Sequence, residues 1–213
     1  MKRLKAALLA SAITLAAGSA GAANLVVNGG FNVGGTLNSG FQTVGVGNTA
    51  ITGWTVLNGN VDWVTGYWQS SDGDGFSVDM DGNTQGSIWQ DINTVGGQTY
   101  TLSFDMSGNP DAGPGTDFLA VHAGGPLALA NYTVTGANSR GNMNWSQRSY
   151  TFTAFSNVTT VGFQSGNRNP CCFGAAVDNV SVTAVPEPAT WAMMILGFGA
   201  AGSMIRRRKA VAA

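Results

Sequence analysis

Between residues 24 and 184 apolar and polar positions alternate in short runs, and the runs are parted by Gly, Asn, Asp and Ser. A period of two marks a strand with one face buried. The pattern predicts strands over 24–28, 41–46, 53–57, 60–64, 76–81, 87–92, 99–106, 117–123, 131–135, 147–154, 159–165 and 175–184. TYTLSFDM, 99–106, is the cleanest, with Tyr100, Leu102, Phe104 and Met106 on one face. No stretch of 24–185 shows a 3.6-residue apolar stripe with a cap. Many short strands joined by turn residues predict an all-β fold, a single antiparallel β-sandwich of the jelly-roll kind. DMSGNPDAGPGTD, 105–117, and SGNRNPCCFG, 165–174, read as loops.

Two apolar runs break this rhythm. The first, Ala6 to Ala17, follows Lys2, Arg3 and Lys5 and precedes an Ala20-Gly21-Ala22 cleavage pattern. It is too short for a stable span, and residues 1–23 read as a secretory signal peptide. The second, Ala189 to Ile205, has 17 uncharged residues and is stopped by Arg206, Arg207, Arg208 and Lys209. That length is at the low edge of the roughly 17–25 residues that cross a bilayer as a helix. A transmembrane helix over about 189–205 is expected, its basic tail (206–209) held on the cytoplasmic side.

Pro186-Glu187-Pro188, a two-residue gap, Trp191-Ala192, the apolar run and the Arg cluster together resemble the PEP-CTERM sorting signal. The spacing is similar to its PEPxxWA variant from Gram-negative bacteria. The resemblance implies export by the general secretion machinery and transient inner-membrane anchoring through the C-terminal helix. It further implies recognition by an exosortase, cleavage near Pro-Glu-Pro, and delivery to the cell surface or an extracellular polysaccharide (biofilm) matrix.

Setting both terminal segments aside changes the charge. Of the ten basic residues, three fall in 1–23 and four in 186–213, which leaves Arg140, Arg148 and Arg168. Of the eleven acidic residues only Glu187 falls outside 24–185, so the domain keeps ten Asp and a net charge of −7. Phosphate contacts need clustered Lys or Arg, so a nucleic-acid partner is excluded. The charge suits solubility outside the cell or a divalent cation. The 162 residues of 24–185 are enough for one domain with its own core.

NLVVNGGF, ITGWTV, NVDWV, SVDMDGNTQGSIWQDI, TYTLSFDMSGNP and AAVDNVSV, in that order, resemble the choice-of-anchor C family of bacterial surface proteins. They are also similar to galactose-binding-like jelly rolls of plant cell-wall proteins and carbohydrate-binding modules. The resemblance implies a structural Ca²⁺ between the first strand and an Asp of the last, at Asn28, Asn32 and Asp178. Asn32 stands where the family often has Glu, which removes one charge from that site.

Catalytic chemistry finds little support. Asp79 and Asp81 have the spacing of a shared strand face, and a glycosidase needs two carboxylates. DMDG also reads as a strand running into a turn, which is the expectation here. A Ser-His-Asp triad has only His122 to use, and no G-x-S-x-G elbow is present. The DMDGN stretch departs from a calcium-binding EF-hand loop at Thr84 and Gln90. Aromatic rings are the natural platform for sugars. Trp54, Trp63 and Trp89 lie in strand patterns and are expected in the core. Tyr67, Trp68 and Trp145 lie in loop-like contexts and are the candidate sugar-stacking rings, with Asp72 or Asp74 supplying hydrogen bonds. Cys171-Cys172 allows a vicinal disulfide, a pair of thiols or intermolecular bridges; the vicinal bond is the expectation in an exported protein. The combined reading is a non-catalytic binding or structural module associated with exopolysaccharide. A glycan hydrolase using Asp pairs and a matrix protein without ligand are the alternatives.

Overall fold

The computed structural model describes residues 23–37, 40–166, 171–186, 194–199 and 201–202. Among the described residues eleven strands form two antiparallel sheets. One sheet has β1 (Gly40–Gly45), β3 (Asn60–Thr65), β4 (Phe76–Asp79), β11 (Ala175–Ala184), β6 (Thr99–Gly108) and β9 (Ser146–Thr153), in that spatial order. The other has β2 (Thr55–Asn58), β5 (Ser87–Asn93), β10 (Val158–Ser165), β7 (Gly115–Ala123) and β8 (Ala128–Val134). The chain changes sheet at nearly every connection, so neighbours within a sheet are mostly remote in sequence.

The alternation seen in the sequence is the packing pattern. In β6 Tyr100, Leu102, Phe104 and Met106 are buried while Thr101, Ser103 and Asp105 are only half-buried. Both sheets feed one core. Phe104 meets Phe163 of the facing sheet edge-on at 4.8 Å, and Trp54 lies 6.2 Å from the same ring. Trp54 and Trp63 are fully buried, as expected for strand aromatics, and each indole N–H donates to a backbone carbonyl: Trp54 to Asn28 and Trp63 to Phe31. A buried indole without such a partner would carry an unmet donor.

Those two carbonyls belong to the NGGF stretch, where the sequence predicts the strand 24–28. No strand forms there. Leu25 N–H donates to Val182 and Val180 N–H donates to Gly29, but Val27 exchanges both its backbone bonds with the Gln90 side chain. A side chain has taken the place of a neighbouring strand. Asn28 and Phe31 adopt φ of 57°, which bends the segment over the end of the core. Gly29 is required by contact, since a Cβ there would sit 1.9 Å from Val180 O. The other predicted strands are present with shifted ends: β4 stops at Asp79, and β7 and β8 begin two and three residues early.

The signal-peptide segment 1–22 lies outside the described residues. So do Glu187, Pro188, Trp191 and Arg206 to Arg208 of the sorting motif. Residues 194–199 and 201–202 are helical and exposed. Among the described residues, no helix is long and apolar enough to cross a membrane.

Candidate functional site

One face of each sheet packs on the core; the outward face of the six-stranded sheet carries a second, smaller cluster. Registry places Thr43, Asp62, Asp79, Ala176 and Ser107 side by side across β1, β3, β4, β11 and β6. The next outward row begins with Phe41, Val64 and Ser77. Trp68 lies over this surface, packed with Val64, Met143 and Ala176 and flanked by Tyr67 and Trp145. Its N–H donates to Ser77 Oγ at 2.8 Å. Trp68 is 5% exposed. The expectation of an exposed ring is therefore corrected: the loop folds back because the outward face offers it an apolar bed.

Beside Trp68 opens a cavity of about 190 Å³, walled by Phe41, Tyr67, Phe173 and Cys172 and floored by Asp62, Asp79 and Asn109. Tyr67 is held from several sides. Phe41 meets it edge-on at 5.3 Å, Arg140 stands 4.1 Å over its ring, and its O–H donates to Asp111 Oδ2 at 3.0 Å. Arg140 also pairs with Asp111 at 2.9 Å. Burial and the Asp111 bond both push the phenol pKa up, so the O–H stays a donor. The sulfurs of Cys171 and Cys172 are bonded, and Cys172 holds φ 81°.

The Asp79 carboxylate of the floor is structural. Asp79 is 1% exposed; its Oδ1 accepts from Asp81 N and Gly174 N, and its Oδ2 from Asn109 Nδ2 at 2.7 Å. Burial, the largest influence, drives its pKa well above the ordinary carboxylate value. The Asp81 to Asp79 bond is the turn expected for DMDG. Asp62 accepts from Thr43 Oγ1 at 2.6 Å, and burial raises its pKa too.

The remaining sequence candidates fall elsewhere. Trp145 donates from its indole to Gln69 O and lines a neighbouring depression of about 250 Å³. Asp72 and Asp74 do not line the Tyr67 cavity. They converge with Asn32 on Gly30, where a Cβ would lie 3.5 Å from Asp74 and 3.8 Å from Asp72 and from Asn32. Asn32 donates to Asp74 Oδ2 at 2.8 Å. Asp178 is fully buried, accepts from Ser71 N and Asn179 N, and is pushed up to about 7 by burial, with Asp72 adding to the rise. Asn28 instead braces its own loop, donating to Val33 O and Thr52 O and accepting from Val33 N. Among the described residues no three His, Cys, Asp or Glu side chains are grouped to hold a metal ion. His122 faces Trp89 at 4.4 Å, with no Ser–Asp array among its interactions.

Phe41, Asp62, Asn109, Asp111, Arg140 and Phe173 were not singled out from the sequence. Phe41 and Asp62 do occupy outward positions of predicted strands, so their face could be read, but which strands adjoin could not. Trp89 was expected in the core; the β5 register turns Ile88, Gln90 and Ile92 inward and leaves Trp89 half-buried on the outside.

Residues 24–183 match the family model described as "Protein of unknown function (DUF642)", and residues 184–209 match the PEP-CTERM protein-sorting motif. Halomucin of Haloquadratum walsbyi is 34% identical over 169 residues, covering 78% of this chain. The chain spans only 2% of that protein's length. Among solved structures, the CBM22-1 xylan-binding domain of Paenibacillus barcinonensis Xyn10C is similar with a TM-score of 0.46 at 14% identity, over 71% of this chain and 99% of that one. TmCBM61 in complex with β-1,4-galactotriose gives 0.44 at 15%, over 76% and 99%, and the CBM35 of Paenibacillus barcinonensis 0.42 at 21%, over 68% and 99%.

Proposed function

We propose that this chain, which belongs to the DUF642 family, is a cell-surface or matrix protein that binds polysaccharide without cleaving it. Export itself follows from the PEP-CTERM motif. Processing by an exosortase and release from the inner membrane into the matrix are the finer part of the proposal, supported by the order Pro186-Glu187-Pro188, Trp191, Arg206.

The observation that carries the binding reading is the fixed Tyr67 ring at the mouth of the outer-face cavity. Its partners Phe41, Arg140 and Asp111 hold it before any ligand arrives. A pre-set ring saves the ordering cost that a mobile one would incur on binding. The cavity, at about 190 Å³, is below the roughly 300–1,000 Å³ that suits drug-sized ligands. It fits one sugar ring, stacked on Tyr67 and bonded by Asn83, Asn109 and Asp62. Arg140, over the Tyr67 ring, is already paired with Asp111, and the cavity carries the carboxylate of Asp62, which favours a neutral sugar over a uronate.

Two facts speak against hydrolysis. A catalytic acid must reach the leaving oxygen, whereas both oxygens of Asp79 are held by donors of the protein. Asp62, its cross-strand neighbour, is bonded to Thr43. A structural Ca²⁺ is part of the same proposal. It would be held by Asp178 and Asn32, completed by backbone oxygens, and would brace the NGGF end of the sandwich without taking part in binding.

A glycan microarray probed with the purified protein and with Tyr67→Ala tests the reading. Loss in the variant of the signal from the glycans held at Tyr67, with no rise in reducing ends, is expected. Sugar release would restore the hydrolase alternative. An array empty for both proteins would favour a matrix protein without ligand.

A further inference from the structure

The outward face of the five-stranded sheet carries a different feature. Along β5 Trp89, Asp91 and Asn93 point out. Registry sets Gly162 of β10 directly beside Trp89 on one side and His122 of β7 on the other. Gly162 has no side chain, so the indole lies down across it: a Cβ there would be 2.5 Å from Trp89 Cε3 and 2.6 Å from Cδ2. His122 closes over the glycine and meets the indole at 4.4 Å and 51°. One face of the indole is thus spent on the sheet. The other lies at the edge of an open depression of about 540 Å³, nearly three times the Tyr67 cavity. Its walls are the Gly124-Gly125-Pro126 turn and the exposed Phe155 and Val158.

The rim supplies the polar half of a recognition surface. Thr160 Oγ1 donates to the exposed Asp91 at 2.5 Å, next to Trp89 along the sheet. Among the described residues no Lys or Arg lines the depression. Burial lowers the His122 pKa, which favours the neutral imidazole. An anionic polymer would meet the like charge of the exposed Asp91. A flat indole with hydroxyl and carboxylate oxygens beside it matches a ring that is apolar on its face and polar at its edge. Pyranoses whose substituents are all equatorial have that character, with axial C–H on both faces. An open depression of this size accepts an internal stretch of chain, where the Tyr67 cavity accepts one ring.

We propose that Trp89, lying over Gly162 and bordered by His122, is a second binding site, which takes the C–H face of a neutral, β-linked, equatorially substituted glucan chain. The site is on the opposite outer face from the Tyr67 cavity and does not depend on it. One domain would then hold two chains at once, and matrix cohesion would gain from paired contacts.

Cellohexaose added to the ¹⁵N-labelled protein tests this through the indole N–H resonances. The Trp89 signal is expected to move as the sugar is titrated, while Trp54 and Trp63, bonded inside the core, stay in place. Trp89→Ala should weaken cellohexaose binding at least ten-fold, Trp89→Phe should retain part of it, and Tyr67→Ala should leave the Trp89 shift unchanged. Polygalacturonate should leave the signal where it is. A Trp89 resonance unmoved by cellohexaose overturns the proposal, as does equal binding by Trp89→Ala or an equal shift with polygalacturonate. A faster- or slower-sedimenting Trp89→Ala with no sugar response would assign the platform to a protein contact, which also overturns it. Loss of the shift in Tyr67→Ala would place cellohexaose in the other cavity and remove the second site.

Discussion

The two outer faces of the sandwich solve one problem in opposite ways. The six-stranded sheet buries polar groups on its outward side: Asp79 and Asp178 are within 1% of full burial, and each is ringed by backbone donors. The five-stranded sheet keeps its outward side shallow, with Asp91 in solvent and Trp89 laid on a glycine. Loops make the difference. Residues 66–75 and 109–114 fold back over the first sheet and, with Cys172 and Phe173, wall a cavity. On the second, the turn at Gly124-Gly125 leaves the surface uncovered. A covered face yields a preformed, stability-coupled site; an open one yields a platform whose residues can change without cost to the fold.

The largest consequence concerns pH. Asp178 has a folded pKa raised to about 7. Its protonated form is favoured by folding, so its contribution is full below about pH 4 and is lost as pH climbs toward 7, by up to about 4 kcal/mol. Urea unfolding across pH 4–7 should show the decline, and Asp178→Asn should reduce its slope, leaving the part that the buried Asp79 contributes. A bound Ca²⁺ would favour the carboxylate, so millimolar Ca²⁺ should remove the decline as well; an unchanged slope with Ca²⁺ would argue against the cation.

Next, Asp79→Ala leaves Asp81 N–H, Gly174 N–H and Asn109 Nδ2 without their acceptor. A loss of about 2–3 kcal/mol is expected. Asp91→Ala, on the open face, should stay within about 0.5 kcal/mol. Equal effects in urea melts would erase the contrast between the faces. Smaller still, Arg140→Ala should weaken glycan binding a few-fold by loosening Tyr67, with little change in unfolding midpoint, because the Arg140–Asp111 pair is largely solvated. The least effect is chemical. Intact mass after alkylation without reductant should show no added group if Cys171 and Cys172 are bonded; two added groups would show free thiols.

The sequence speaks clearly where one residue type has one use in a strand. TYTLSFDM could only present Tyr100, Leu102, Phe104 and Met106 to a core, and it does. NLVVN looked the same and is not a strand, because Gln90, far along the chain, supplies its hydrogen bonds. Trp68 and Trp89 show the same limit in mirror image. Loop context suggested exposure for Trp68, but Val64 and Ala176 offered it cover. Strand context suggested burial for Trp89, but Ile88 and Ile92 claimed the inward positions. The cavity joins Phe41, Tyr67, Asp111 and Phe173 from four separate segments. Local pattern gives each residue's facing and says nothing of which segments meet.

Isothermal titration of the purified protein with oligosaccharides cut from the host's own exopolysaccharide, run beside Tyr67→Ala and a reducing-end assay, tests the central claim most directly. Saturable binding is expected, at least ten-fold weaker in Tyr67→Ala, with the oligosaccharides recovered intact. Binding unchanged by the substitution, or oligosaccharides shortened by the protein, would contradict it.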